Sequence, residues 1–468
     1  MFTNLVIIVA VVLTVQFLLL RDFDKGLAAA VFFLILLPKE VQIEMPSELP
    51  QLTGHRVVLL VLLANTLPRL RRVSLSPVSR LLLLLGLIGV CRLVSTVTAI
   101  DPAASVKLLF GYLIETVLFF VLIAGGLRER RTIEFVAWGS LLALVIVAGI
   151  GTIEKYTGIN AAAAIVPGMK DTPNTVSATF RHRILFGYAM AMGFPLAFAL
   201  NGTAGCRWKR WLSGLGILML PAACYYGHSR GPWVGCALAG MVLGMLGGRS
   251  VRRKLVLFGA LVVLVAALRP GTYETVTSLW HQSFNKDTVK GRSTDYRLVL
   301  WGVAYCELTK SLGHALFGYG GHSTELMDMS EYFDAGAGGL ADDLGYTSWD
   351  SQYASDFMQY GFLGFGLEVI LYLSILSMVI RVWKSTPGRD RELTAACVAT
   401  VAVVLWAMAT VAIFNPQLDY LFWAIVAIAC RFHSVTSPVD RPQESHLDPV
   451  VQGGQPLVYG PVSQLGQT

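Results

Sequence analysis

"AACVATVAVVLWAMATVAIF", residues Ala395 to Phe414, carries no charged side chain. A helix rises 1.5 Å per residue, so about 20 such residues span the roughly 30 Å hydrocarbon core of a bilayer. How this run is read decides the fold, and the rest of the chain repeats it. Apolar runs recur near 3–20, 26–37, 55–68, 81–98, 106–126, 133–151, 184–201, 211–225, 232–247, 255–268, 357–381, 393–413 and 417–431. The 468 residues are 54% hydrophobic and 14% charged, whereas soluble domains carry about 25% charged residues. The sequence therefore predicts an all-α polytopic membrane protein with about 12 transmembrane helices. The first run, "MFTNLVIIVAVVLTVQFLLL", lacks a basic leader and a small-residue cleavage site, and is expected to be a retained helix.

Charge sets the expected topology. The net charge of +7 is no sign of nucleic-acid binding, because the basic residues fall in short clusters between apolar runs. These clusters, 69–80, 128–131, 206–210, 249–254 and 381–392, mark cytoplasmic loops by the positive-inside rule. The other face then holds 152–183, 226–231, 269–356 and 415–418, and the chain would start on that face. The expected organisation is a transmembrane bundle over 1–268, a large loop over 269–356 on the face away from the cytoplasm, transmembrane helices over 357–431 and a disordered cytoplasmic tail over 432–468, rich in Pro, Gln, Ser and Gly. The loop contains Trp280, Trp301 and Trp349 and shows no obvious helix or strand pattern. The seven cysteines have no metal-ligand spacing and an odd count, and read as small buried hydrophobes. "GYGGH" is no dinucleotide fingerprint without a βαβ unit around it.

Four polar constellations share the outward face: "FRHRILFG" with Arg181, His182 and Arg183; "YYGHSRGPWVG" with His228 and Arg230; "STDYRLVLW" with Asp295 and Arg297; and "SWDSQYASDFMQYGFLGFG" with Asp350, Tyr353 and Asp356. His314 and His322 flank "LFGYGG" in the loop. Arginine is costly in hydrocarbon, so arginines between apolar runs face a cavity or the interface. Three arginine sites on one face point to an anionic ligand, because guanidinium forks match phosphate oxygens. In a membrane that ligand is a lipid diphosphate, which would leave under arginine stabilisation while a nearby carboxylate or His takes the proton of an attacking hydroxyl. Plainer readings stand beside these. Arg181 and Arg183 would anchor a helix end by snorkelling. Arg230 would belong to a tight turn, and Arg297 would pair with Asp295. His322 would be structural, and Asp350 would cap a helix.

"SRGPWVG", "STDYRLVLWGVAYCELTKSLGHALFGYGGHS" and "DSQYASDFMQYGFLGF", in this order, resemble the O-antigen ligase and Wzy-type polymerase superfamily, and "TFRHRILFGYAMAMGFPLAFAL" resembles its exopolysaccharide members. The resemblance covers Arg181 to Phe365. It implies a multi-pass enzyme of the bacterial inner membrane with its active site facing the periplasm. The implied donor is a glycan on undecaprenyl diphosphate. The implied acceptor is another glycan, in a polymerase, or lipid A-core, in a ligase. It implies no metal, no cofactor and no nucleotide sugar, and membrane lipids but no nucleic acid as partners. Arg181 or Arg183, with Arg230 and Arg297, would face the diphosphate, with His182, His228, His322 and Tyr353 as further substrate-binding groups. Ligases of the family carry a His-Asn-like pair, nine residues and then Gly; here Asp350-Ser351 and Gly361 hold that frame, with Asp350 in place of the His proposed as base. A carboxylate held by arginines is a weak base, and polymerase-like members resemble this Asp form better. A ligase is the second reading, and a transporter of lipid-linked glycans the third.

Overall fold

A computed structural model of the chain describes residues 2–46, 50–70, 75–166, 175–268, 289–327, 349–413 and 415–436, with isolated positions between 271 and 285. Among the described residues, seven helices are long and apolar enough to cross a bilayer: Phe2–Arg21, Ser76–Ser95, Pro102–Gly126, Arg130–Thr157, Arg183–Thr203, Gln352–Ser385 and Asp390–Thr410. The expected dozen is therefore not reached by length and composition. The other apolar runs are helical too, but they are short or charged. Phe23–Leu36 has 14 residues, and Arg230–Leu246 has 17. Arg249–Leu268 begins with Arg252, Arg253 and Lys254 close together. The Ala395–Phe414 run is helical only as far as Thr410, because Val411 is already extended (φ −162°, ψ 155°). The single sheet among the described residues is a two-stranded antiparallel ribbon, Gln42–Ile43 against Leu52–Thr53.

The basic clusters gather at one end. Arg130 pairs with Asp390 (2.8 Å), Arg131 with Asp22 (3.4 Å), and Lys254 donates to Asn201 Oδ1 (2.6 Å). Arg128 donates to the Arg69 carbonyl, and the Arg69 guanidinium lies 3.9 Å from the Phe23 ring centre. With the Asp22 turn at this basic end, helix Phe2–Arg21 starts from the opposite end, where the candidate site residues also lie. Helix Arg183–Thr203 runs through the centre; from Phe186 to Leu200 every residue is buried. Its small residues admit close neighbours: Pro232 packs against Gly187, and Leu144 and Leu220 against Gly193.

The region expected as a loop is helical in part. Helix Val289–Leu308 carries Arg297 and is followed by Leu312–Phe317 and Ser323–Leu326. Tyr296, Leu300, Val303, Ala304 and Leu308 are buried at helical spacing and pack with Trp349, Ala354, Phe357 and Met358 in a small second core. The next long helix begins at Gln352, before the expected Phe357, and Pro416–Thr436 runs past the expected end at 431. The expected tail otherwise lies outside the described residues. Of the seven free cysteines, Cys224, Cys397 and Cys430 are buried as expected, whereas Cys206 and Cys306 are exposed because each sits at a helix end or on an outward helix face.

Candidate functional site

Helix Gln352–Ser385 is two helices joined at Gly361, which has φ 63° and ψ −167°. That backbone region is essentially restricted to glycine. The bend lets two chain segments meet backbone to backbone. Tyr319 N donates to Met358 O (3.1 Å) and Gly320 N to Gln359 O (2.9 Å). The glycine that closes the Asp350-Ser351 frame is thus explained by packing. Ser351 caps the helix, its Oγ accepting from Ala354 N (3.4 Å). The capping role considered for Asp350 therefore belongs to its neighbour, which leaves the Asp350 carboxylate turned elsewhere.

It is turned to Arg297. Nη2 of Arg297 lies 3.7 Å from Asp350 Oδ2, and Nε donates to the Asp350 carbonyl at 3.1 Å. The pair is partly exposed; the Asp295 side chain, the partner considered for Arg297, lies outside the described side chains. The chain before the bend is pinned to the end of helix Asp390–Thr410: Gln352 N donates to Val411 O (3.2 Å) and Tyr353 Oη to Leu405 O (3.2 Å). Tyr353 therefore anchors the segment through its hydroxyl.

Tyr188 links the remaining pieces. Its hydroxyl is hydrogen-bonded to Thr410 Oγ1, one residue before the Val411 carbonyl that accepts from Gln352 N, and lies where a Cβ on Gly231 would stand. Trp406 Nε1 holds the Gly231 carbonyl at 2.9 Å. Arg230, Arg297 and Asp350 are so drawn to one locality. Gly227, whose missing side chain would stand 3.1 Å from Arg183 O, brings the 181–183 segment to the same turn. Arg183 and Arg230 are the first residues of their helices, and His182 caps the former by accepting from Ile184 N (3.3 Å). A helix N-terminus already carries about half a positive charge. Placing arginines there concentrates positive charge that an anion relieves. His228, at φ 46°, is exposed in the turn before Arg230, its ring 5.7 Å from Tyr225. Arg181 is exposed.

His322 stands apart from this cluster, on a polar cavity of about 710 Å³. Two ion pairs line the cavity, Arg92 Nη2–Glu368 Oε1 (2.8 Å) and Arg56 Nε–Glu115 Oε1 (2.7 Å). The Arg92 guanidinium lies between the rings of Tyr112 and Tyr360, 4.3 and 4.4 Å from their centres. Tyr112 and Glu115 belong to a π-helical segment, Tyr112–Leu118, a distortion that often marks functional sites. Asp356 is 2% exposed; its Oδ1 accepts from Gln352 Nε2 (2.8 Å), and its carboxyl lies within hydrogen-bonding reach of the Glu368 carboxyl. At the margin of this region Tyr319 Oη lies 3.3 Å from Glu307 Oε2, and burial, with the Glu307 charge, pushes that hydroxyl up from its usual range. Trp349 and Gln352 line the cavity and flank Asp350 in the chain, so the cavity and the arginine cluster meet there. Sequence reasoning passed over Tyr188, Thr410, Arg56, Glu368 and Asp419. The signal for the charged ones was their position inside apolar runs.

The fold and site define a multi-pass helical membrane protein with an arginine-rich cluster at the end opposite its basic loops. Residues 214–369 match the family model Wzy_C, described as O-antigen ligase. The resemblance to the O-antigen ligase and polymerase superfamily is borne out over that segment, which includes Arg230, Arg297, Asp350 and Gly361 but leaves Arg181 and Arg183 outside. No curated protein shows a significant match to the chain.

Proposed function

We propose that the chain is a glycan transferase of the bacterial inner membrane, working at the periplasmic face on an undecaprenyl-diphosphate-linked donor. An acceptor hydroxyl attacks the anomeric carbon of the donor sugar. The bond from that carbon to the diphosphate oxygen breaks, and undecaprenyl diphosphate leaves. Arg230 and Arg183 or Arg181, with Arg297, stabilise the charge that grows on the leaving group. Asp350 orients the acceptor hydroxyl or takes its proton. The observation that carries this reading is the meeting of Arg297–Asp350 with the Arg230 turn around Tyr188 and Thr410. An apolar groove of about 860 Å³, lined by Tyr225, Trp233, Phe194 and Phe258, opens beside the same turn and suits a prenyl tail.

Asp350, standing where ligases of the superfamily carry His, favours a polymerase that extends exopolysaccharide or O-antigen repeats. The family description favours the second reading, a ligase that attaches the glycan to lipid A-core. A transporter of lipid-linked glycans also needs charges among its helices, and the cavity contains them. Its pairs, however, involve Arg56 and Arg92 near one end of their helices, which speaks for a one-sided site. The test is product length on a gel. Purified protein given a short lipid-linked repeat and no other acceptor is expected to make a ladder, lost in Arg230→Ala. No ladder, with transfer on addition of lipid A-core, would make it a ligase.

A further inference from the structure

We propose that the cavity lined by Arg92, Asp356 and Trp349 is the acceptor subsite, and that it takes a hydroxyl-rich, diphosphate-free sugar chain. This rests on the transferase reading and names where its second substrate goes. The cavity, about 710 Å³, falls in the range of about 300–1,000 Å³ typical of ligand sites and has room for a short oligosaccharide.

Its chemistry selects hydroxyl groups. Three buried polar atoms on its lining residues have no hydrogen-bond partner among the described residues: the donors Trp349 Nε1 and Arg92 Nε, and the acceptor Asp419 Oδ1. Buried polar atoms are seldom left in that state. A sugar hydroxyl both donates and accepts, so a sugar can satisfy both kinds at once, whereas a diphosphate offers acceptors alone. Trp349 and Trp423 add flat apolar walls against which a sugar ring can pack.

Charge points the same way. Five carboxyl side chains (Glu115, Glu325, Asp356, Glu368, Asp419) and three basic ones (Arg56, Arg92, Lys107) line the cavity. Glu115 and Glu368 already pair with Arg56 and Arg92, so a diphosphate finds no free guanidinium there and belongs with the arginine cluster on the other side of Asp350. Trp349 and Gln352 place the cavity next to Asp350 along the chain, where a bound hydroxyl would meet the donor.

The test separates the two substrates. The full chain in nanodiscs is titrated with the repeat-unit oligosaccharide released from its lipid by mild acid, and separately with farnesyl diphosphate. Ala412→Trp fills the cavity wall at an exposed position without removing a polar contact. Asp356→Asn changes one lining acceptor. Both are expected to weaken oligosaccharide binding at least tenfold and leave farnesyl diphosphate binding unchanged, and Arg230→Ala is expected to do the reverse. Should Asp356→Asn fail to fold, Ala412→Trp decides alone. Oligosaccharide binding unchanged in Ala412→Trp, absent in the wild type, or exchanged for a loss of farnesyl diphosphate binding, overturns the proposal. Cavity-dependent oligosaccharide binding by a wild type that binds no farnesyl diphosphate upholds the subsite and sinks the transferase reading.

Discussion

Gly361→Ala tests the joint on which the site is hung. At φ 63° and ψ −167° a non-glycine residue costs about 1–3 kcal/mol in backbone strain. The new Cβ would also stand 2.7 Å from Ala315 O and 2.7 Å from Gly318 N. Both are backbone atoms, so no side chain can swing aside, and overpacking of this kind costs about 1–3 kcal/mol more. The expected loss is about 2–6 kcal/mol, a large part of the 5–15 kcal/mol that usually holds a protein folded. Relief requires the 312–320 segment to part from Met358 and Gln359, breaking two backbone hydrogen bonds and shifting a cavity wall. Gly366, five residues on, is the control: it is helical and a Cβ there meets nothing within 4 Å. Gly366→Ala should be neutral or stabilising by about 0.5–1 kcal/mol. Thermal unfolding of both variants in detergent, followed by tryptophan fluorescence, gives the comparison. If Gly361→Ala melts with the wild type, the joint is not the constraint described here.

Arg92→Met should destabilise by about 3–5 kcal/mol by leaving Glu368, 4% exposed, without its partner, and Arg92→Met with Glu368→Met should recover most of that loss in the same melting assay. Asp350→Asn should slow glycan transfer by about 10²–10⁴ while the lipid-linked donor still binds; an unchanged single-turnover rate would give Asp350 a packing role only. Glu154→Ala should free the backbone N–H groups of Ser177 and Ala178, held now at 3.1 and 2.8 Å, at about 1–3 kcal/mol each, and hydrogen exchange at those two amides should rise.

Much of this architecture is legible in the sequence. The alternation of basic loops predicts two ends, and the ion pairs of Arg130, Arg131 and Lys254 with its Asn201 contact gather those loops at one of them. The order of the constellations predicts that they come together, and the packing of Gly231 and Thr410 on Tyr188 brings the Arg230 turn near the segment that carries Asp350. Helix Val289–Leu308 is hidden because its outward face is apolar too: Leu298 is 68% exposed, so the buried stripe does not stand out from its surroundings. Ser351 rather than Asp350 caps the next helix, a one-residue difference that composition cannot resolve when both types are good caps. The cavity is hidden for another reason. Arg92 and Glu368 are 276 positions apart, and only the packing of several helices makes them neighbours.

The most direct test of the central claim is the release of undecaprenyl diphosphate during reaction. Protein in nanodiscs is given a lipid-linked repeat unit, and free carrier and new glycosidic bonds are counted together. The account predicts one undecaprenyl diphosphate released for each bond formed, with both lost in Arg230→Ala. A wild-type protein that binds the lipid-linked glycan, or moves it between leaflets, without releasing the carrier would contradict it.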